Sequence, residues 1–128
     1  MSAHATALDS QRKPRILIIE DEPLIALDVK EMLEDAGFEI VGLASTLDQA
    51  LSLIRSEFFE AAIVDANLAG ISANPAAMAL IARGLPYLVL SGYSIEQQPA
   101  ALQTAPFVAK PADPFRLVQV LHSILPTS

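Results

Sequence analysis

Chemically reactive side chains follow four short apolar runs in the sequence. Each run is bounded by polar, turn-favouring residues, which is typical of a buried strand in a parallel sheet. In open parallel sheets the carboxyl ends of the strands meet at one edge, and ligands bind there. The residues that follow the four runs are Glu20 and Asp21, then Asp65, then Ser91, and finally Lys110. The pattern therefore predicts three carboxylates, one hydroxyl and one amine at the same sheet edge.

Three converging carboxylates need a cation. Two carboxylates about 4 Å apart repel each other by about 4 kcal/mol at an effective dielectric of about 20. The candidate ligands are all oxygens, because the chain has no cysteine and neither of its histidines is near these positions. Mg²⁺ prefers one or two carboxylates, several waters and phosphate oxygens. Any one of these acids alone could simply cap a helix or end a strand, but the combination favours a magnesium site.

Five apolar runs alternate with five helical segments along the chain. Strict alternation of this kind implies right-handed crossovers and a parallel sheet that is covered by helices on both faces. The predicted fold class is α/β, a doubly wound five-stranded parallel sheet of the flavodoxin-like (βα)5 type. The predicted strands are 15–19, 38–44, 61–64, 87–90 and 107–109.

Capping signals set the ends of the first two predicted helices. Pro23 starts the first helix and Gly37 ends it, since proline suits the first turn and glycine suits the position after the last. The residues from Thr46 to Gln49 have the form of a capping box, in which Thr46 accepts from the backbone of Gln49 and Gln49 reaches back.

Similar signals mark the later helices. Asn74-Pro75 predicts an N-cap followed by a proline at the first helical position, and Asp113-Pro114 opens the last helix. Between Ser91 and Lys110 the prolines leave room only for a short, weak helix at about 95–102. We expect 92–105 to be a mobile segment that takes part in signalling. His122 lies beside the apolar stripe of the last helix and is expected to be a surface residue.

Composition limits the classes of function. The chain has 128 residues, a formal charge of −7 and 52% hydrophobic residues, so we expect a flexible N-terminal arm (1–14), one domain (15–126) and no attached output domain. A Lys/Arg-rich face is lacking, which argues against nucleic-acid binding. Neither a signal-peptide core nor a long apolar stretch is present, so we expect a cytoplasmic protein that does not bind membranes.

The residues at the strand ends resemble those of a known family. Over roughly 15–125 the chain is similar to the CheY-like receiver domain of bacterial response regulators in two-component systems. The resembling motifs are Ile19-Glu20-Asp21-Glu22, Ile63-Val64-Asp65, Leu90-Ser91-Gly92 and Ala109-Lys110-Pro111.

The resemblance implies a role for each site residue. Asp65 would accept a phosphoryl group, Ser91 would bind the phosphoryl oxygens, and Lys110 would pair with them. The implied Mg²⁺ ligands are Glu20, Asp21, Asp65 and the backbone carbonyl of Asn67. The family pattern also has a cis peptide bond before the residue that corresponds to Pro111.

Four residues have regulatory roles by the same resemblance. Ser91 and Phe107 would form the switch, in which Phe107 turns inward as Ser91 moves towards the phosphoryl group; the alternative is that Phe107 is an ordinary core residue. Asn67 and Tyr93 would border the path of the hydrolytic water and so modulate the lifetime of the phosphorylated state.

The implied function is a single-domain response regulator in a phosphorelay. Its expected partners are a sensor histidine kinase or a histidine phosphotransfer protein and a downstream protein target. It would be a phosphoacceptor protein and not an enzyme. Whether it serves as a signal, a phosphate sink or a relay intermediate stays open.

The chain departs from the common family pattern after Asp65 and around Ser91. Leu68-Ala69 replaces the usual Met-Pro pair, the third helix is short, and the interval from Ser91 to Lys110 is compressed. The run 88–93 resembles a stand-alone receiver subgroup with a Phe-Ala-Thr-Gly-Tyr motif, although Val-Leu-Ser stands here in place of Phe-Ala-Thr.

Three alternatives remain from the sequence. A haloacid dehalogenase-type phosphatase also uses a strand-end Asp with Mg²⁺, but that family has a second Asp where this chain has Asn67. Its other metal-binding acids also come from the C-terminal part, whereas here they are Glu20 and Asp21. A flavodoxin-like cofactor carrier lacks support, because Asp21-Glu22-Pro23 would repel phosphate. The third alternative is a receiver fold that works only as an unphosphorylated interaction module.

Overall fold

Strands and helices alternate along the part of the chain that the computed structural model describes, which is residues 12–92 and 98–126. In chain order the elements are β1 (Arg15–Ile19), α1 (Pro23–Asp35), β2 (Glu39–Ala44), α2 (Leu47–Ser56), β3 (Ala61–Asp65), β4 (Asn67–Leu68), β5 (Ile71–Ser72), α3 (Asn74–Ala82), β6 (Tyr87–Ser91), α4 (Ala100–Gln103), β7 (Phe107–Ala109) and α5 (Pro114–Ile124).

Five of the strands form one parallel sheet in the order β2-β1-β3-β6-β7. From β1 the chain passes to β2 on one side, and it then returns to place β3 on the other side of β1. The predicted doubly wound parallel sheet is confirmed. The carboxyl ends of β1 and β3 lie at the point where the strand order reverses, which is where such sheets bind ligands.

Two apolar layers hold the helices against the sheet. Successive residues of a strand face opposite sides, so Leu17 and Ile19 pack into the layer under α2, α3 and α4. Ile16 and Ile18 pack into the layer under α1 and α5. Because both faces of β1 and β3 are covered, the strand ends that carry the acids are fixed from two sides.

Most of the predicted helix ends are confirmed. Gly37 follows α1 with a φ of 93°, and Asp113 caps α5 by accepting from the Arg116 backbone N–H at 2.9 Å. Thr46 Oγ1 accepts from the Gln49 N–H at 3.1 Å, as the capping box predicts. The return bond differs from the prediction, because Gln49 Oε1 accepts from the backbone N–H of Ser45, at 2.9 Å, one residue earlier than expected.

The predicted start of the third helix is wrong by one residue. Asn74 is already helical, Ala73 occupies the N-cap position, and no side chain caps this helix. The Asn74 N–H instead donates to Ser72 Oγ at 3.1 Å. The Asn-Pro pair predicted the N-cap wrongly because Ser72, in the preceding hairpin, accepts from the Asn74 N–H.

The β4–β5 hairpin was not predicted. Its two strands pair Asn67 with Ser72 and Leu68 with Ile71, and its turn residues, Ala69 and Gly70, have φ angles of 55° and 86°. Two-residue hairpin turns with positive φ at both central positions match the twist of the flanking strands. Strands of two residues are too short to show a hydrophobic period.

The expected short helix is present, but Gln98 and Pro99, which the prediction included, are not helical. α4 is four residues long and begins at Ala100, and the buried Tyr87 hydroxyl donates a hydrogen bond to the Ala101 carbonyl within it. Residues 93–97 lie outside the described residues, so the expected mobility of 92–105 stays a prediction. His122 is exposed, with its ring 5.1 Å from that of Phe38.

Two other expectations concern the termini and membranes. Of the expected N-terminal arm, residues 1–11 lie outside the described residues, while the Pro14 carbonyl accepts from the Glu39 N–H at 2.9 Å. Within the described ranges, no helix is long and apolar enough to cross a membrane.

Candidate functional site

The predicted site residues meet at the carboxyl edge of the sheet. Asp65 is the last residue of β3 and Ser91 the last of β6, while Glu20 and Lys110 directly follow β1 and β7. Backbone bonds continue past the strands, since the Lys110 N–H donates to the Ser91 carbonyl at 3.1 Å. The positions of these side chains therefore follow from the strand register.

Lys110 bridges two buried carboxylates. Its Nζ lies 3.0 Å from Asp65 Oδ2 and 3.0 Å from Glu20 Oε2. Glu20 is 1% exposed and Asp65 is 4% exposed. Buried charges of this kind are stable only when they are paired, so the ammonium is the group that allows both acids to sit in the interior.

Asp65 is a perturbed acid. Burial raises its pKa from 3.8 to about 7, the hydrogen bond from Lys110 opposes this rise, and the nearby charge of Glu20 adds to it. For Lys110, burial alone would lower the pKa, but the bonds to Asp65 and Glu20 outweigh burial, so its pKa is raised. Burial and the charge of Glu20 thus raise the pKa of Asp65 by more than the bond from Lys110 lowers it.

The raised pKa of Asp65 predicts a pH-dependent stability in metal-free protein. Since the folded state keeps the proton up to a pH of about 7 and the unfolded state loses it near 3.8, the free energy of unfolding should fall as the pH rises between these values. The expected loss is on the order of 2–4 kcal/mol. Lys110 also contributes to the free energy of unfolding, but that contribution is lost only above its ordinary pKa of 10.5, which lies outside this pH range.

Urea unfolding in EDTA from pH 4 to pH 8 measures this loss. Asp65→Asn should flatten the dependence and be the more stable protein at pH 8, whereas the exposed Asp48→Asn should follow the wild type. Parallel curves for wild type and Asp65→Asn would show that Asp65 titrates normally.

Three acids could hold a divalent metal. Carboxylate oxygens of Glu20, Asp21 and Asp65 lie within 4.8 Å of one another. Glu20 Oε2 is buried and has no hydrogen-bond partner among the described residues, although the Lys110 charge is near. A buried oxygen without a bond, in an all-oxygen donor set, suits a hard cation such as Mg²⁺. The residues present therefore fit the ion that the sequence implied.

Asn67 has two bonds that tie Asp65 to the hairpin. Its backbone N–H donates to Asp65 Oδ1 at 3.2 Å. Its side-chain Oδ1 accepts from the Gly70 N–H at 2.7 Å. Asp65 thus has one oxygen bonded to Asn67 and the other to Lys110, which fixes the orientation of its carboxylate.

An open cleft of about 560 Å³ gives access to Asp65. Its polar lining includes Asp21, Ser91 and Lys110, and small residues supply much of the rest: Ala66, Ala69, Gly70 and Gly92. Ser91 is 2% exposed. A phosphoryl-sized group can therefore enter between the acids, the hydroxyl and the amine.

The remaining predicted site residues stand as follows. Phe107 is the first residue of β7 and is half-buried, paired in register with Val89. Tyr93 lies outside the described residues. The peptide bond between Lys110 and Pro111 is cis, as expected.

Sequence reasoning missed the cleft wall that Ala69 and Gly70 form. A signal was present in Asn67 and Gly70, because an Asn side chain can accept from a backbone N–H a few residues on and glycine accepts a positive φ. Ala69 concealed it, since a non-glycine residue with a φ of 55° is uncommon.

Comparison with known proteins decides the family. The profile described as "Response regulator receiver domain" matches residues 16–122. The chain belongs to the response regulator receiver domain family. Members of the family are typically phosphoacceptors of two-component signalling, and the match gives no support to the phosphatase alternative.

Individual relatives agree with this assignment. "Transcriptional regulatory protein PdtaR" of Mycobacterium tuberculosis (strain ATCC 25618 / H37Rv) is 29% identical over 125 residues, which cover 97% of this chain and 61% of that protein. The receiver domain thus spans about three-fifths of the length of that curated relative.

Solved structures show the same fold. The response regulator PhyR from Brucella abortus aligns with a TM-score of 0.77 and 31% identity, over 98% of this chain and 53% of that chain. A CheY-like receiver domain protein from Methanospirillum hungatei JF-1 aligns with a TM-score of 0.74 and 26% identity, over 88% of this chain and 93% of that chain. The CheY-like fold is confirmed.

Proposed function

We propose that this receiver domain accepts a phosphoryl group on Asp65 from a phosphohistidine in a partner protein. The observation that carries the proposal is the placement of Asp65 between Lys110, at 3.0 Å, and the acids Glu20 and Asp21, within 4.8 Å. A carboxylate acceptor needs positive charge on two sides, because both it and the incoming group are anionic. Lys110 supplies one such charge, and the three-acid group binds the second.

The reaction is an in-line phosphoryl transfer. A carboxylate oxygen of Asp65 forms a bond to phosphorus, the P–N bond of the phosphohistidine breaks, and the imidazole takes the electron pair. Mg²⁺, when bound, supplies positive charge that offsets the negative charge on the transferring oxygens. Lys110 neutralises part of the same charge, and the Ser91 hydroxyl donates to a phosphoryl oxygen. Asn67 keeps the carboxylate oriented through its backbone N–H.

Output is proposed to pass through protein contacts. Ser91 would move towards the phosphoryl oxygens and Phe107 would turn inward, which changes the surface near β7 for a downstream protein. The formal charge of −7 supports a protein partner over nucleic acid. We place the activity in the cytoplasm, where kinases draw on ATP, and propose that the chain is a phosphoacceptor and not an enzyme.

Turnover separates a receiver from a phosphatase. With Mg²⁺ and acetyl phosphate, intact-mass spectrometry should find a single phosphoryl group per chain. With p-nitrophenyl phosphate, the same protein should release no more than about one equivalent of nitrophenol over the time of the labelling experiment. Release over many cycles would show a phosphatase, which Asn67 already disfavours because it stands where that family has its second Asp.

Metal binding gives a second test of the proposal. Mg²⁺ at a hundredfold excess over its Kd should stabilise the folded wild type by about 2.7 kcal/mol, which raises the melting temperature by several degrees. Asp21→Ala should lose this rise and, without metal, be at least as stable as wild type because one repulsive charge is gone. The control is Glu31→Ala, an exposed acid on α1 outside the three-acid group, which should keep the rise. If Asp21→Ala also keeps it, the cation binds elsewhere.

A further inference from the structure

The β4–β5 hairpin is a fixed wall at the mouth of the cleft. Its turn residues, Ala69 and Gly70, line the cleft, and Asn67 Oδ1 holds the turn through the Gly70 N–H at 2.7 Å. Leu68 anchors the hairpin to the core and is 2% exposed. A side chain on the outer part of this hairpin therefore has a defined position relative to Asp65.

Ile71 is the apolar side chain that the hairpin leaves in solvent. It pairs with the buried Leu68 across the hairpin and is itself 57% exposed. Leu24, three residues after Asp21, is likewise 79% exposed. Residues near the site thus combine exposed apolar groups with a buried acceptor, and an exposed apolar side chain gains free energy when a partner protein buries it.

Charge at the cleft defines the kind of protein that fits. Asp21 and Glu22 line the same cleft, and the whole chain has a formal charge of −7. A second copy of this chain would be repelled, whereas a partner with Lys or Arg around an apolar contact would be attracted. Because Asp65 is almost fully buried, a protein donor has to cover the cleft mouth in order to deliver its phosphoryl group.

We propose that Ile71 is a specificity-determining contact for the phosphohistidine protein that delivers the phosphoryl group, and that this protein presents basic side chains around an apolar contact. The inference rests on the proposed function. Ile71 touches the donor protein and not the reacting atoms, so it should affect transfer from a protein and not transfer from a small molecule.

A comparison of two phosphoryl donors, one a protein and one a small molecule, tests this inference. Autophosphorylated histidine kinase cores from the source organism are first screened for transfer to the wild type, and the fastest is then compared with acetyl phosphate. Ile71→Thr, which keeps the β-branch, should lower kcat/KM for the kinase by about tenfold, the effect of losing a well-buried apolar contact. Its labelling rate with acetyl phosphate should stay within about twofold of wild type. Ile71→Lys should reduce kinase transfer more than Ile71→Glu does, because the partner is basic.

Met78→Gln is the matched control, since Met78 is 52% exposed on α3 and does not line the cleft; it should behave as wild type with both donors. Equal slowing of both donors by Ile71→Thr would show a general distortion of the site, and no slowing of either would show that Ile71 makes no contact; each result overturns the inference. Acetyl phosphate labelling of Asp65 without transfer from any kinase would overturn both this inference and the phosphohistidine donor of the proposed function. Failure of acetyl phosphate to label the wild type would instead count against the proposed function.

Discussion

Asp65→Asn should abolish phosphorylation of this receiver domain by acetyl phosphate and by a cognate kinase. An amide oxygen is a far weaker nucleophile than a carboxylate and carries no negative charge for the metal to pair with. Glu20 and Asp21 are poorer acceptors, because Glu20 does not line the cleft and Asp21 forms no ion pair with Lys110 among the described residues. The expected loss is complete within the detection limit of intact-mass spectrometry.

Asp48→Asn is the matched control, because Asp48 is an exposed acid in the first turn of α2 that is outside the three-acid group and does not line the cleft. It should be labelled at the wild-type rate. Circular dichroism and a melting curve establish that Asp65→Asn is folded. Folding is expected because the amide carries no charge at this buried position. Labelling of Asp65→Asn at the wild-type rate would place the acceptor elsewhere and remove the basis of the proposed mechanism.

Lys110→Met should be the most destabilising single change at the site in metal-free protein at pH 8. The lysine lies within 3.0 Å of both Glu20 and Asp65, so its removal leaves two buried carboxylates without a cationic partner. Breaking a buried pair in this way costs about 3–5 kcal/mol. At pH 5 the loss should be smaller, because Asp65, whose pKa is already raised to about 7, can take up a proton.

Urea unfolding in EDTA at pH 8 and pH 5 measures both effects. The surface variant Lys13→Met should change the free energy of unfolding by less than about 0.5 kcal/mol. The double variant Lys110→Met with Asp65→Asn should recover much of the stability, because a single acid is then left. A loss of less than about 1 kcal/mol for Lys110→Met would mean that water, and not the ammonium, compensates the two acids.

The chemistry and the fold class could be predicted from the sequence. Apolar runs that alternate with helical periods specify a parallel sheet, and a parallel sheet brings residues such as Glu20, Asp65 and Lys110 to one edge whatever their separation along the chain. The receiver family was likewise evident from the strand-end motifs. These features depend on periodicity and on short local patterns, which a sequence displays directly. The start of α3 at Asn74 and the return bond of Gln49 were placed one residue wrongly, because a neighbouring side chain or backbone group offered a competing partner.

Only the tertiary structure decided the hairpin, the charge balance and the cleft. The β4–β5 hairpin is too short for a period and turns at Ala69, a residue type that rarely has a positive φ. The pKa of Asp65 depends on its burial and on its distances to Lys110 and Glu20, which lie 45 residues away along the chain in each direction. Burial and distance arise when the layers pack, since desolvation and Coulomb energies depend on the positions of groups in space and not on their order in the chain.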